Sequence, residues 1–265
     1  MFPDIFPTEK NVIAMVHFAP LPGSPLFDSK LGVSGILENA SRDAETLVRA
    51  GVDGLLFCNE GDRLYQKRVG PETVATMAHC ISRITEDLKV PFGVDVLWDM
   101  RAALSIAKAT GAKYVRGLLT GVYGTDMGLL EPEGAEILRF RRFIEATDIK
   151  LLVNINPEFG GALPARPIEL CARSAVFIGL ADALCVSGPM TGMETSVEDL
   201  KKVKIAVPNT PVVCNTGARK DNIAERLVVA DAVIVGTSLK KDGLTWNPVD
   251  ENRAQEFMEA VKKLR

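Results

Sequence analysis

Eight short runs of mostly apolar, often β-branched residues recur along this chain, at residues 12–17, 54–58, 92–96, 114–117, 151–154, 183–186, 212–215 and 232–235. Runs of that length without polar alternation read as strands buried on both faces of a parallel sheet. Between them lie longer segments of helical period, at 36–50, 71–88, 100–110, 132–146, 167–179, 197–206 and 221–229, and a last one at 250–264. Regular alternation of strand and helix implies right-handed crossovers, the hand that packs each helix back onto a right-twisted sheet. Eight such units in 265 residues, with no linker dividing them, predict one α/β domain over 1–265, a (β/α)8 TIM barrel. The structural alternative is a doubly wound open sheet.

The turns from helix back to strand repeat: Ala50-Gly51-Val52-Asp53-Gly54, Thr110-Gly111-Ala112-Lys113, Gly179-Leu180-Ala181-Asp182-Ala183 and Val229-Ala230-Asp231-Ala232. Three carry Gly at or near the helix end, where a positive φ is often required. The segments after the strands are instead long and rich in Gly and Pro, at 18–34, 59–70, 118–131 and 155–166. Long loops on one face and short ones on the other place the site at the C-terminal face.

What such a site takes is bounded by charge. With 31 Lys and Arg against 34 Asp and Glu, the net charge of −3 offers no basic footprint for nucleic acid. No stretch of about 18 apolar residues and no basic, then apolar, leader is present, so the reading is a cytoplasmic protein without an integral membrane segment. The expected partner is a small phosphorylated molecule, with self-association left open. The five cysteines are odd in number and lack a C-x-x-C pair, which argues against a disulfide framework or thiolate zinc site. Cys58, Cys185 and Cys214 sit within strand runs, where a thiol acts as a small hydrophobe.

Two turns carry a phosphate signature. Asn215-Thr216-Gly217 ends the seventh strand, and Gly236-Thr237-Ser238 leads from the eighth into a short helix. Small residues let the backbone approach an anion, amides at a helix start point towards it, and the Thr and Ser hydroxyls add donors. Ser187 and Gly188, after the sixth strand, complete the candidate phosphate set. The competing reading is of tight βα turns capped by Ser and Thr.

Polar residues interrupt the apolar runs at their C-terminal ends: His17, Asn59 with Glu60 and Asp62, Asp95, Arg116, Asn154 with Asn156, and Ser187. In a barrel these ends converge on one mouth, so Asp95, Glu60, Arg116, His17 and Asn154 are the catalytic candidates. A carboxylate inside an apolar run needs a partner or a role, and Arg116 is the candidate partner for Asp95. A purely structural ion pair is the competing reading. His17 can serve as base, ligand or hydrogen-bonded mouth residue. Two histidines exclude a multi-His metal site, whereas Glu60, Asp62, Asp95 and Asp126 are candidates to hold Mg²⁺ through oxygen. No Lys ends a predicted strand, so Schiff-base chemistry is not indicated, nor is haem or flavin. The pattern points to an isomerase, lyase or hydrolase of a phosphorylated sugar or nucleotide-like metabolite.

Two other stretches read more simply. Phe18-Ala19-Pro20-Leu21-Pro22-Gly23-Ser24-Pro25 is expected to be a rigid lid or rim loop. Leu138-Arg139-Phe140-Arg141-Arg142-Phe143 is expected to form a helix with both Phe residues inward and the Arg residues solvated.

Several of these motifs together resemble the BtpA/SgcQ family: Ala14-Met15-Val16-His17 with Pro20-Leu21-Pro22-Gly23-Ser24-Pro25, Asn59-Glu60-Gly61-Asp62, Ser187-Gly188 with Thr191-Gly192, and 235–243 leading to Asn247-Pro248-Val249-Asp250. The resemblance spans nearly the whole chain and implies a TIM-barrel fold. It also implies the alternative function, a non-catalytic assembly or stability factor for a photosystem-type membrane complex, since the family's namesake is linked to photosystem I biogenesis. Other members occur in non-photosynthetic organisms, some beside sugar-uptake genes. The chain departs from the family pattern on strand five, where Val153-Asn154-Ile155-Asn156 stands in place of a His- and Lys-bearing run. The seventh-strand turn is Asn-Thr-Gly where a Gly-Ser-Gly turn is the family expectation.

Overall fold

All eight apolar runs pair in parallel and close on themselves. In the computed structural model, which describes residues 2–265, the barrel strands are β1 (Asn11–His17), β2 (Gly54–Cys58), β3 (Phe92–Asp95), β4 (Tyr114–Leu118), β5 (Lys150–Asn154), β6 (Ala183–Val186), β7 (Val212–Cys214) and β8 (Ala232–Val235). Each pairs with its sequence neighbour, and β8 returns to β1 through the register Asn11 to Ala232 and Ala14 to Val235. Closure excludes the open sheet. The outer layer is α1 (Gly32–Ala50), α2 (Pro71–Thr85), α3 (Met100–Thr110), α4 (Gly134–Phe143), α5 (Ile168–Phe177), α6 (Val197–Ala206), α7 (Ile223–Leu227) and α8 (Glu251–Lys262). Capping follows the sequence: Asp99, Ser196 and Asp250 accept amides of the first turns of α3, α6 and α8.

Successive strand side chains point to opposite faces, and this chain uses the two faces differently. Val12, Ala14, Val16, Leu55, Phe57, Val94, Val115, Leu151, Val153 and Val233 pack outward against the helices. Ile13, Met15, Leu56, Tyr114, Leu152, Ala183, Val213 and Ile234 fill the lumen. Phe2 and Phe6 seal its lower end, with the Phe6 ring 5.8 Å from that of Tyr114. The lumen is therefore packed from below, and open space is left only at the mouth.

The recurring helix-to-strand turns have one mechanical role. Asp53, Asp182 and Asp231 each accept a backbone amide from the first or second residue of the preceding strand, from Val12 at 2.7 Å, Leu151 at 2.8 Å and Val212 at 2.8 Å. Each also donates its own backbone amide to that same residue's carbonyl. The pair of bonds ties neighbouring strands together where the ladder starts. Asp231→Ala strands the amide of fully buried Val212, and is expected to cost about 1–3 kcal/mol in chemical denaturation. A loss below a few tenths of that would show the tie to be dispensable.

Positive φ falls on Gly51 (87°) and Gly111 (79°) as expected, but in the third turn it falls on Leu180 (51°) rather than Gly179. Gly179 is instead needed for close approach: a Cβ there would lie 2.6 Å from the Ala175 carbonyl oxygen. The amphipathic reading of α4 also needs correction. Phe140 is partly buried, under the Arg101 guanidinium at 3.9 Å, but Phe143 is 82% exposed. Only Ile137 of this helix is buried, and the helix ends at the exposed Phe143.

The proline-rich segment is a fastened rim loop and not a free lid. Phe18 and Leu21 are buried, Leu21 N donates to Asp62 Oδ1 at 2.7 Å, and Gly61 N donates to the Phe18 carbonyl at 3.2 Å. The long segments after β4 and β5 hold structure that periodicity did not reveal. Tyr123–Thr125, Gly128–Leu130 and Gly160–Ala162 form a three-stranded antiparallel sheet over one side of the mouth.

Candidate active site at the barrel mouth

Continuing the inward pleat upward replaces hydrocarbon with polar groups. Asp95, Arg116, Asn154 and Asn215 form a buried layer, with Cys58 and Cys185 as the register partners of Asp95 and Asn154. Arg116, 6% exposed, places Nη2 2.6 Å from Asp95 Oδ2 and donates through Nη1 to Asn215 Oδ1 at 2.7 Å. Asn215 donates to Ser187 Oγ at 2.7 Å and to Glu158 Oε1 at 3.2 Å. Asn154 donates to the same Ser187 hydroxyl at 2.8 Å. Sequence order hides this contact: Asp95 ends β3 and Arg116 stands in the middle of the adjacent β4, whereas Asn215 reaches Arg116 across the lumen. Burial pushes the Asp95 carboxyl upward, and the facing Arg116 opposes that shift. Arg116 is held cationic by Asp95 and Glu158 despite its burial.

Above this layer two carboxylates meet on one hydroxyl. Thr191 Oγ1 lies 3.1 Å from Glu60 Oε1 and 2.9 Å from Glu158 Oε2. A hydroxyl has one hydrogen, so Thr191 can donate to one carboxylate and accept from the other only if that other is protonated. Burial, then repulsion from Glu158, raises the Glu60 carboxyl to about 7, while Arg116 pulls the other way. Glu158 is also raised, first by burial. Burial and mutual repulsion thus favour a proton on this pair, a property of the two groups together. Tyr65 completes the cluster, its hydroxyl 3.4 Å from Glu60 Oε1.

The remaining mouth residues sort by what they touch. His17 is kept neutral, its pKa lowered by burial and by the charges of Lys240 and Arg116, and its Nδ1 has no hydrogen-bond partner. Lys240 itself is buried against Asp43, with Nζ to Oδ2 at 2.6 Å. Burial lifts the Cys185 thiol to about 12 and Cys58 well above its usual range, which removes both as thiolates.

The proposed oxygen cage of Glu60, Asp62 and Asp95 does not assemble. Asp62 spends its oxygens on Leu21 N and Asn59 Nδ2, Asp95 is committed to Arg116, and Asp126 is exposed at the tip of the rim sheet. Among the described residues no group of three or more His, Cys, Asp or Glu is placed to hold a metal ion.

Beside the carboxylates a cavity of about 150 Å³ runs to the seventh and eighth βα turns, lined by Glu60, Arg116, Glu158, Thr191, 215–219 and 236–238, with Arg253 at its edge. Gly217 is dictated twice over. Its φ is +68°, and a Cβ would fall 2.4 Å from Glu194 Cα. The amides of Gly217, Ala218, Thr237 and Ser238 have no protein acceptor among the described residues. The hydroxyls, by contrast, are used internally: Ser238 donates to the Ala218 carbonyl at 2.6 Å, Thr216 Oγ1 accepts Gly188 N at 2.5 Å, and Thr237 pairs with Thr245. Ser187 and Gly188 lie outside this cavity. The helix expected after β8 is two short 3-10 turns, Thr237–Leu239 and Lys241–Gly243.

Four residues of the site were not among the sequence's catalytic or binding candidates, although Thr191 belongs to the Thr191-Gly192 motif. Glu158 and Thr191 lie beyond the ends of β5 and β6, on loops with no period to read. Arg219 and Arg253 bring cationic groups to the cavity. Arg219 is ion-paired with Glu194 and Asp221, whereas Arg253 donates only to the Ser238 carbonyl at 2.9 Å and has no carboxylate partner among the described residues.

Known proteins resemble this chain at two levels, in family and in fold. The family model described as BtpA family matches residues 8–263. The sgc region protein SgcQ of Escherichia coli K12 is 43% identical over 99% of this chain and 98% of its own length. The photosystem I biogenesis protein BtpA of Synechocystis is 35% identical, over 97% and 89% respectively. Among solved structures, phosphoribosyl anthranilate isomerase from Thermus thermophilus superposes with a TM-score of 0.60 at 14% identity, covering 96% of this chain and all of that one. A structure described as native KDPGal gives 0.59 at 12% identity over 97% of both. At these identities the structural likeness concerns the barrel alone.

Proposed function

The chain belongs to the BtpA family, and from the geometry of its mouth we propose that it is an enzyme acting on a phosphorylated sugar or nucleotide-like metabolite. The observation carrying this reading is adjacency. A cavity ends in four unengaged backbone amides and the Arg253 cation, and its other end meets the carboxylates of Glu60 and Glu158, of which Glu60 is raised to about 7. Amides and a cation suit a phosphate, and a carboxyl near 7 suits proton transfer at operating pH. In this reading Gly217, Ala218, Thr237 and Ser238 hold the phosphate, while Asn215, Thr216, Ser187 and Gly188 brace the turns. Glu60 exchanges a proton with the substrate, Glu158 and Thr191 hold the second proton position, and Arg116 keeps the layer beneath neutralised. Asp95 has its charge spent on Arg116 and serves as a positioning residue. His17, kept neutral, lines the cavity beside the bound substrate.

Crystals grown in phosphate or sulfate are expected to show an anion within hydrogen-bond distance of the Gly217 and Ser238 amides. Arg253→Ala is expected to weaken phosphate binding roughly tenfold, the effect of about 1.4 kcal/mol. A cavity that stays empty, with affinity indifferent to Arg253, would sink the phosphate reading. A second reading, an assembly or stability factor for a membrane complex, draws on the name of the Synechocystis relative. Among the described residues no helix is long and apolar enough to cross a membrane, so such a factor would act from outside the bilayer. It requires no turnover, and loss of its effect should not follow Glu60→Gln.

A further inference from the structure

The carboxylate bridge stands between two chambers and not at the end of one. The phosphate-end cavity is lined by Glu60, Arg116, Glu158 and Thr191, and the same four residues line a second recess on the other side of the mouth. The walls of that recess differ in kind: Tyr65, Trp98, Phe159, Leu97 and Leu118 supply aromatic and aliphatic surface. Its floor is polar: the Asp95 carboxylate is spent on Arg116, whereas Asn154, 7% exposed, keeps a buried Oδ1 that no protein hydrogen satisfies. An unsatisfied buried acceptor is costly, and the Asn154 side chain borders the recess. Aromatic walls suit the face of a flat ring, and the Asn154 amide suits an N–H or O–H group on its edge.

We propose that the substrate is a phosphorylated sugar extended by a planar ring bearing hydrogen-bond donors, its phosphate at the seventh and eighth turns and its ring in the Trp98 recess. The junction between the two parts then lies against Glu60 and Glu158. This rests on the phosphate reading above and adds the second half of the ligand to it. A bare short-chain sugar phosphate would leave the aromatic recess unfilled.

The two tryptophans of the chain make the test direct. Trp246 lies outside both chambers, beside Arg63 at 4.1 Å, so a Trp246→Phe protein leaves Trp98 as the only indole emitter. That protein is titrated with inorganic phosphate, ribose 5-phosphate, and three ribose 5-phosphates with a planar ring at C1: adenosine monophosphate, uridine monophosphate and nicotinamide mononucleotide. At least one ring-bearing ligand is expected to bind roughly tenfold more tightly than ribose 5-phosphate and to quench Trp98, the gain that one stacked ring gives. Asn154→Leu should reduce that ratio severalfold, and the comparison in unsubstituted Asn154 protein keeps the test valid if the variant does not fold. If ribose 5-phosphate binds and no ring-bearing ligand binds better, the recess is not a ring site and the proposal falls while the phosphate reading stands. If neither phosphate nor ribose 5-phosphate binds, the phosphate reading fails first and this inference fails with it.

Discussion

Glu60→Gln is expected to lower kcat by 10²–10⁴-fold, the usual contribution of a positioned acid or base, while making the folded protein more stable above neutral pH. The stability effect follows from the direction of the shift. Burial and Glu158 raise the Glu60 carboxyl to about 7 from its ordinary 4.5, so the folded state binds that proton more tightly than the unfolded chain does. Its favourable contribution is complete below about pH 4.5 and is lost as pH rises through 7. At pH 8 the ionised Glu60 therefore costs on the order of 3 kcal/mol. Glutamine keeps the shape and a partner for Thr191 but carries no charge at any pH, so its stability advantage should grow from pH 5 to pH 8. Denaturation at several pH values measures this, and the inflection near 7 in the kcat/KM profile should vanish in the variant. A variant that is inactive but no more stable at pH 8 would place Glu60 in an ordinary solvated setting. Unchanged kcat would remove it from the chemistry.

What the sequence disclosed about this site depended on whether a residue stood on a strand. His17, Asp95 and Asn154 occupy the last inward positions of regular strands and Arg116 the inward position before the last of β4, and once eight strands close, their convergence is forced by the period of two. Glu158 stands four residues beyond β5, and its place is set by the pairing of 123–125 with 160–162, a contact with no local signature. Thr191 and Arg253 are hidden for the same reason, because each reaches the mouth through the course of a loop or the first turn of α8. Asp62 illustrates the converse failure. In the sequence it is indistinguishable from Glu60 as a ligand or acid, and only the Leu21 amide at 2.7 Å reveals it as a loop fastener. The seventh-strand turn divides similarly: Gly217 is legible from backbone demand, whereas the commitment of Thr216 to Gly188 is purely three-dimensional.

Removing the one cation beneath the carboxylates is expected to be the most damaging single change in the mouth. Arg116→Met leaves Asp95 buried beside raised Glu60 and Glu158 with no positive partner, and breaking one side of a buried pair costs about 3–5 kcal/mol. Asp95→Asn should cost less, because Arg116 retains the Asn215 carbonyl at 2.7 Å and the field of Glu158. Adding Asp95→Asn to Arg116→Met should recover part of the loss, since the stranded carboxylate is then gone. A double-mutant cycle in chemical denaturation reads the coupling directly. Strict additivity would mean that the 2.6 Å contact is too well solvated to matter. The same variants separate the positioning role of this pair from the chemistry above it. Arg116 holds the Glu60 carboxyl down against burial, so Arg116→Met should move the kinetic inflection above 7. Arg116→Lys keeps the charge but cannot reach Asp95 and Asn215 with one planar fork, and should preserve the inflection while losing stability.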